Sequence, residues 1–268
     1  MQLKNRAIDV SCYPRLITEE GDIIFSSKSN GLDVNVLPDG SIEGLTELST
    51  EIIKKLNINS VDEIKYRNNF KDLNILTKKL NNEEVKIYSY FSSAIRNIAT
   101  INRAAETTKE MIRQKTRHLL YAGVFSALEA LLQDYLKYSV EKNDIVLKGI
   151  VLNENLTEFH KNNKMTIADL VKDNKTPRER VIEILNTLIY HNFHKTRSYY
   201  EAAFSITFPS IERLEKSVQI RHIVVHRNGI KKGEESPCEL RLDEVRSLIL
   251  DVQTFVIELL TQLTASKT

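Results

Sequence analysis

In the second half of the chain apolar residues recur at helical spacing, without the two-residue alternation of exposed strands. Leu120, Val124, Leu128, Leu131 and Tyr135 fall three and four apart, the stripe of an amphipathic helix predicted from about Arg113 to Val140. A second stripe, Val245, Leu248, Ile249, Val252, Phe255, Val256, Leu259, Leu260 and Leu263, predicts a helix from about Asp243 to Leu263 that must lie against other helices. Between them Thr176-Pro177-Arg178-Glu179 joins an N-cap threonine, a proline at the first helical position and a glutamate three residues after the cap. That combination starts a helix, and Val181, Ile182, Leu185, Leu188 and Ile189 follow as its apolar set. A further helix is expected from Pro209 to His226. At least four helices in roughly the last 160 residues are enough for a bundle.

The beginning of the chain reads differently. Asp22 to Phe25 and Leu32 to Leu37 look extended, and Pro38-Asp39-Gly40 is a turn signal leading into Ser41-Ile42-Glu43. Strand character then disappears, no glycine occurs between Leu45 and Gly123, and helices are expected through Lys54, through Leu76 and from Glu83 to Glu110. The expected fold class is mainly α: a small α+β N-terminal region over residues 1–100, then a helical domain over 101–268. No repeat, low-complexity tract or flexible linker marks the junction.

Composition narrows the setting. With 268 residues and 41% hydrophobic content the chain can bury a core without metal or disulfide staples. Cys12 and Cys238 lie far apart and neither belongs to a Cys-x-x-Cys pair, so a reducing, cytoplasmic location is expected. The N-terminus lacks the apolar stretch of a signal peptide, and no apolar run reaches the roughly 20 residues of a bilayer span, so no membrane partner is expected. Net charge is only +2, but it is unevenly spread. Residues 96–117 hold six basic against two acidic side chains, and residues 191–232 hold eight against three with four histidines besides. If the two segments share a face they form an anion-binding surface; otherwise they are solvated helix faces. Eight glycines and no phosphate-cradling loop set aside nucleotide-binding P-loops and dinucleotide folds.

The segment Ile220-Arg221-His222-Ile223-Val224-Val225-His226-Arg227-Asn228-Gly229 carries the candidate chemistry. Its apolar residues cover most of the helix circumference, which predicts a turn surrounded by protein or a partner subunit. A guanidinium there needs a compensating anion, and an imidazole suits proton transfer near neutral pH. Asn228-Gly229 is a helix C-terminus. His222 and His226 share a face, whereas Arg221 and His226 are about 140° apart and converge only through the long arginine side chain or across a dimer interface. His191-Asn192-Phe193-His194 has a spacing some metal sites use, but no Cys or carboxylate motif accompanies it, and a non-ligand role is expected. Tyr199, Tyr200, Phe204 and Phe208 could stack on bases; core packing is the expectation.

Arg221-His222-x-x-x-His226 resembles the Arg-x(4 to 6)-His signature of HEPN domains, in which a polar residue commonly follows the arginine. The context is similar too: an early helix reading Phe125-Ser126-Ala127-Leu128-Glu129-Ala130-Leu131-Leu132, the motif helix ending in Arg227-Asn228-Gly229, a short loop and a long final helix. The resemblance covers roughly Glu106 to Leu263. It implies a helical bundle acting as a homodimer with the two motifs facing each other. The implied activity is endoribonuclease, without metal or cofactor, in a toxin-antitoxin or antiviral defence setting with an antitoxin or defence partner protein. By that resemblance the RNA's 2′-hydroxyl attacks the adjacent phosphate, leaving 2′,3′-cyclic phosphate and 5′-hydroxyl ends. His226 would be the general base or acid, Arg221 would hold the phosphate, and His222 would be a second proton donor or an orienter. Arg227, Asn228, Glu129 and Arg117 are the candidate substrate-binding residues. Other readings are a non-catalytic HEPN module for RNA, nucleotide or dimerisation, and a structural helical protein that matches the motif by chance.

Overall fold

The computed structural model describes residues 75–156 and 175–266, together with residues 69, 72 and 73 and the backbone of three short strands. The chain divides into two compact units, Met1–Asn74 and Ile75–Thr268. In the first, β1 (Phe25–Ser26), β2 (Asp33–Val36) and β3 (Ile42–Glu43) form an antiparallel sheet in that order. Phe25 pairs with Val34, and Asn35 with Glu43. The expected turn at Pro38-Asp39-Gly40, the expected helix through Lys54, and Cys12 lie outside the described residues.

The second unit is mainly helical. Its helices are α1 (Asn82–Ala104), α2 (Glu110–Lys142), α3 (Asp144–Val151), α4 (Pro177–Thr187), α5 (Phe193–Phe204), α6 (Glu212–Arg227) and α7 (Leu242–Ala265). The boundary near residue 100 expected from the sequence is corrected to Asn74/Ile75. Residue 100 falls inside α1, which starts at a complete capping box: Asn81 Oδ1 accepts the amides of Glu83 and Glu84, and Glu84 Oε2 accepts that of Asn81. Helix α1 then packs on α2 and α7, so its apolar face belongs to the helical core.

Helix α2 is the axis of the unit. Its 33 residues span about 50 Å, and it contacts α1, α3, α4, α6 and α7. The stripe read from the sequence is the buried face: Val124 and Leu128 are fully buried and Tyr135 nearly so. Helix α4 begins at the predicted box, with Glu179 Oε2 accepting from the Thr176 amide at 2.7 Å and Thr176 Oγ accepting from the Glu179 amide at 3.2 Å. Of the four aromatic residues of and after α5, Tyr199, Tyr200 and Phe208 are buried core, and Phe204 is half-buried against them. Tyr200 is fully buried, donates its hydroxyl to the Leu132 carbonyl at 2.8 Å, and packs its ring on Phe204 and Phe208.

Helix α7 departs from one expectation. It is long enough, and with a mean hydropathy of 1.4 apolar enough, to cross a membrane by length and composition. Its apolar stripe nevertheless faces α1, α2 and α6, and all nine residues of that stripe are buried. Its apolar content is thus accounted for as core.

Candidate functional site

Helix α6 packs on α2, and side chains from α2 fix the chain that follows α6. Asn228 adopts the left-handed conformation (φ 51°) and Gly229 follows at φ 87°, which ends the helix where Asn-Gly predicts. The Gly229 amide donates to Ile223 O at 3.1 Å, and the Cys238 amide donates to Gly229 O at 2.8 Å. On α2, Gln114 Oε1 accepts from the Leu240 amide at 2.9 Å, Arg117 donates to the Leu240 carbonyl at 2.9 Å, and His118 Nε2 donates to the Cys238 carbonyl at 2.8 Å. Three side chains on one turn of α2 therefore staple residues 238–240 and hold the end of α6 with its histidines.

The convergence left open by helix geometry is made by the arginine side chain within one protomer. Arg221 Nη1 lies 3.5 Å from His226 Nε2, while Nη2 lies 3.6 Å from Glu129 Oε1 on α2. Glu129 is the anion that a guanidinium in this setting requires. The same Oε1 accepts from His191 Nδ1 at 3.1 Å. His191 sits in the turn between α4 and α5, and its ring meets His222 edge-on with centres 5.4 Å apart. His222 in turn stacks on His226 at 5.5 Å. One guanidinium and one carboxylate thus join a row of three imidazoles, the carboxylate coming from α2 and the rest from α6 and the α4–α5 turn.

Exposure divides this cluster. Arg221, Glu129 and His191 are largely covered, with side chains 15%, 26% and 14% accessible, whereas His226 is exposed. Burial holds the His222 pKa below its ordinary value, and the neighbouring His191, Arg221 and His226 add to the effect. Both causes favour the neutral form of His222. Among the described residues no group of three or more His, Cys, Asp or Glu is placed to hold a metal ion. His194 is instead paired with Glu215 at 2.6 Å on the surface.

The other expected substrate-binding residues are less uniform. Asn228 and Arg227 are exposed at the end of α6. Asn228 shares the helix face of Arg221, whereas Arg227 is turned about 120° from it. Arg117 is corrected to a structural role. Its side chain is 7% accessible, it forms an ion pair with Glu106, and it donates to Leu240 O. It also lies three turns, about 18 Å, from Glu129 along α2. Of the two coverings expected for the motif helix, the protomer itself supplies only part: Val224 is buried and Val225 is 45% exposed. Beside the cluster, α2 and α6 leave an open cleft of about 440 Å³ lined by Lys115, His118, Leu119, Ala122, Val224, Val225 and Asn228. Both basic segments of the sequence contribute to this lining, but Lys115 is the only Lys or Arg among the lining residues, and α6 supplies Val224, Val225 and Asn228. No family model, curated protein or solved structure matches this chain.

Proposed function

We propose that the helical unit is an endoribonuclease of the HEPN type, and one observation carries the reading. The guanidinium of Arg221 and the imidazole of His226, five residues apart, meet at 3.5 Å on the exposed end of α6. A phosphate entering beside His226 would meet a cation anchored by Glu129 and an imidazole able to move a proton. The substrate 2′-hydroxyl would attack phosphorus, His226 would handle a proton, and Arg221 would offset the charge that grows on the phosphoryl oxygens. Lys115 and Asn228 in the adjoining cleft would hold the flanking RNA. The small α+β region ahead of this unit would serve as a sensor or inhibitor contact, and the protein would act in the cytoplasm as a toxin or antiviral effector with a restraining partner.

A homodimer belongs to the same proposal. Met111, Ile112 and Leu119 on α2 are 70%, 50% and 74% exposed, and Val225 on α6 lies across the cleft from Leu119. A second copy on this strip would remove apolar surface from water and bring two motifs together. The test of activity is incubation of the purified chain with RNA in excess chelator, followed by end-group analysis for 2′,3′-cyclic phosphate. His226→Ala should lower the rate by about 10² to 10⁴. Arg221→Ala should cost as much, and Arg221→Lys should rescue poorly because the planar fork is lost. Parental rates in both folded alanine variants would refute the reading.

A further inference from the structure

Cleavage of RNA through its 2′-hydroxyl moves two protons, and the structure distinguishes the groups that can move them. As the 2′-oxygen–phosphorus bond forms, a proton leaves the 2′-hydroxyl. As the phosphorus–5′-oxygen bond breaks, a proton must reach the departing oxygen. The three imidazoles of the row differ in which nitrogen is committed. Arg221 Nη1 faces Nε2 of His226, and because a guanidinium only donates, that nitrogen turns its lone pair to Arg221 and takes a proton once the guanidinium swings to the phosphate. His222 is kept neutral by burial and by three basic neighbours, which makes it a poor proton donor.

His191 is different. Its Nδ1 faces the Glu129 carboxylate at 3.1 Å. A carboxylate only accepts, so Nδ1 bears hydrogen, the ring orientation is fixed, and Nε2 is left to exchange a proton. A carboxylate in this position also offsets the charge of an imidazolium, the form a donor must take. Glu129 in turn ties His191 to Arg221, since one oxygen serves both. Contact of the His191 ring with His222, and of His222 with His226, keeps the two outer imidazoles within one site.

Resting on the nuclease reading, we propose that His191, held by Glu129, is the general acid that protonates the departing 5′-oxygen while His226 takes the proton of the 2′-hydroxyl. Glu129 is its positioning residue. The test uses the full chain and two forms of one oligoribonucleotide, the ordinary RNA and the same RNA with sulfur replacing the bridging 5′-oxygen at the cleaved linkage. A thiolate leaves without a proton. Asparagine at position 191 keeps an amide donor for Glu129 but cannot give up a proton, so His191→Asn should lower cleavage of ordinary RNA by about 10² to 10⁴ and regain most of that loss on the sulfur substrate. Glu129→Gln should show a smaller loss with the same dependence on the leaving atom, whereas His226→Ala should be slow on both substrates. Equal loss by His191→Asn on both substrates, or none on either, overturns the assignment. If Arg221→Ala and His226→Ala lose activity while His191→Asn retains it on ordinary RNA, only the role of His191 falls. If the unaltered protein cleaves neither substrate, the nuclease reading falls and takes this one with it.

Discussion

Gly229 joins the motif helix to the rest of the unit, and its replacement by alanine has two separable costs. The first is conformational: at φ 87° a Cβ is disfavoured by about 1 to 2 kcal/mol. The second is a collision. A Cβ at this position would lie 2.5 Å from Cε1 and 2.9 Å from Nδ1 of His118, and 3.2 Å from Cβ of Pro237. The His118 ring is buried and must move, which breaks or stretches its 2.8 Å bond to the Cys238 carbonyl at a cost of about 1 to 2 kcal/mol. Together Gly229→Ala should destabilise by about 3 kcal/mol, equivalent to a fall in Tm of about 6 to 12 °C. Gly233 supplies the control, since it has nearly the same φ of 88° but no atom within 4 Å of an added Cβ. Gly233→Ala should therefore show the conformational cost alone. Urea unfolding of both variants, and of Gly229→Ala in a His118→Ala background, separates the parts. Removing the imidazole should shrink the Gly229→Ala penalty to about that of Gly233→Ala, a coupling of about 2 kcal/mol. If Gly229→Ala costs no more than Gly233→Ala, or costs the same with and without the imidazole, the close approach of α2 to the end of α6 is wrong.

Further outcomes follow from single contacts. His222 has a folded pKa below its ordinary 6.5, with burial as the main cause, so its contribution to stability is complete above that pH and is lost as pH falls through the folded value. Denaturant midpoints should drop between pH 7 and pH 5, and His222→Gln should flatten that drop; an unchanged slope counts against a desolvated His222. Leu132→Ala empties a fully buried position on α2 and should cost about 2 to 5 kcal/mol by chemical unfolding. Thr176→Ala removes the cap of α4 and should cost about 1 kcal/mol. Leu119→Glu places a charge on the exposed apolar strip and should convert the proposed dimer to monomer by light scattering without a fall in Tm; a monomer before substitution would refute that interface.

The elements read most directly from the sequence are those fixed by contacts within a few residues. The Thr176 capping box, the α2 stripe and the α7 stripe each depend on spacings of three and four along one helix. The shared face of His222 and His226, and the helix end at Asn228-Gly229, were legible for the same reason. Spacing could not show which cations are already spent. Arg117 counts as a positive charge in the sequence, yet its guanidinium is consumed by Glu106 and a carbonyl 123 residues away. Nor could it place the start of the helical unit, because no change of composition marks it and α1 runs unbroken through residue 100.

His191 shows where local reading stops. Its pairing with His194 suggested a metal spacing, but the two diverge: His194 turns outward to Glu215, and His191 reaches Glu129, 62 residues earlier, through the packing of α4 against α2. The sequence signal that points to it is electrostatic rather than periodic. Arg221 in an apolar stretch demands an anion, and Glu129 is the acid on the early helix that can face it. Once Glu129 is fixed against Arg221, its remaining lone pairs require donors, and an imidazole arriving from the α4–α5 turn supplies one at 3.1 Å. The site is thus organised around its carboxylate: Glu129 holds Arg221 and His191 directly, and His226 is reached through Arg221.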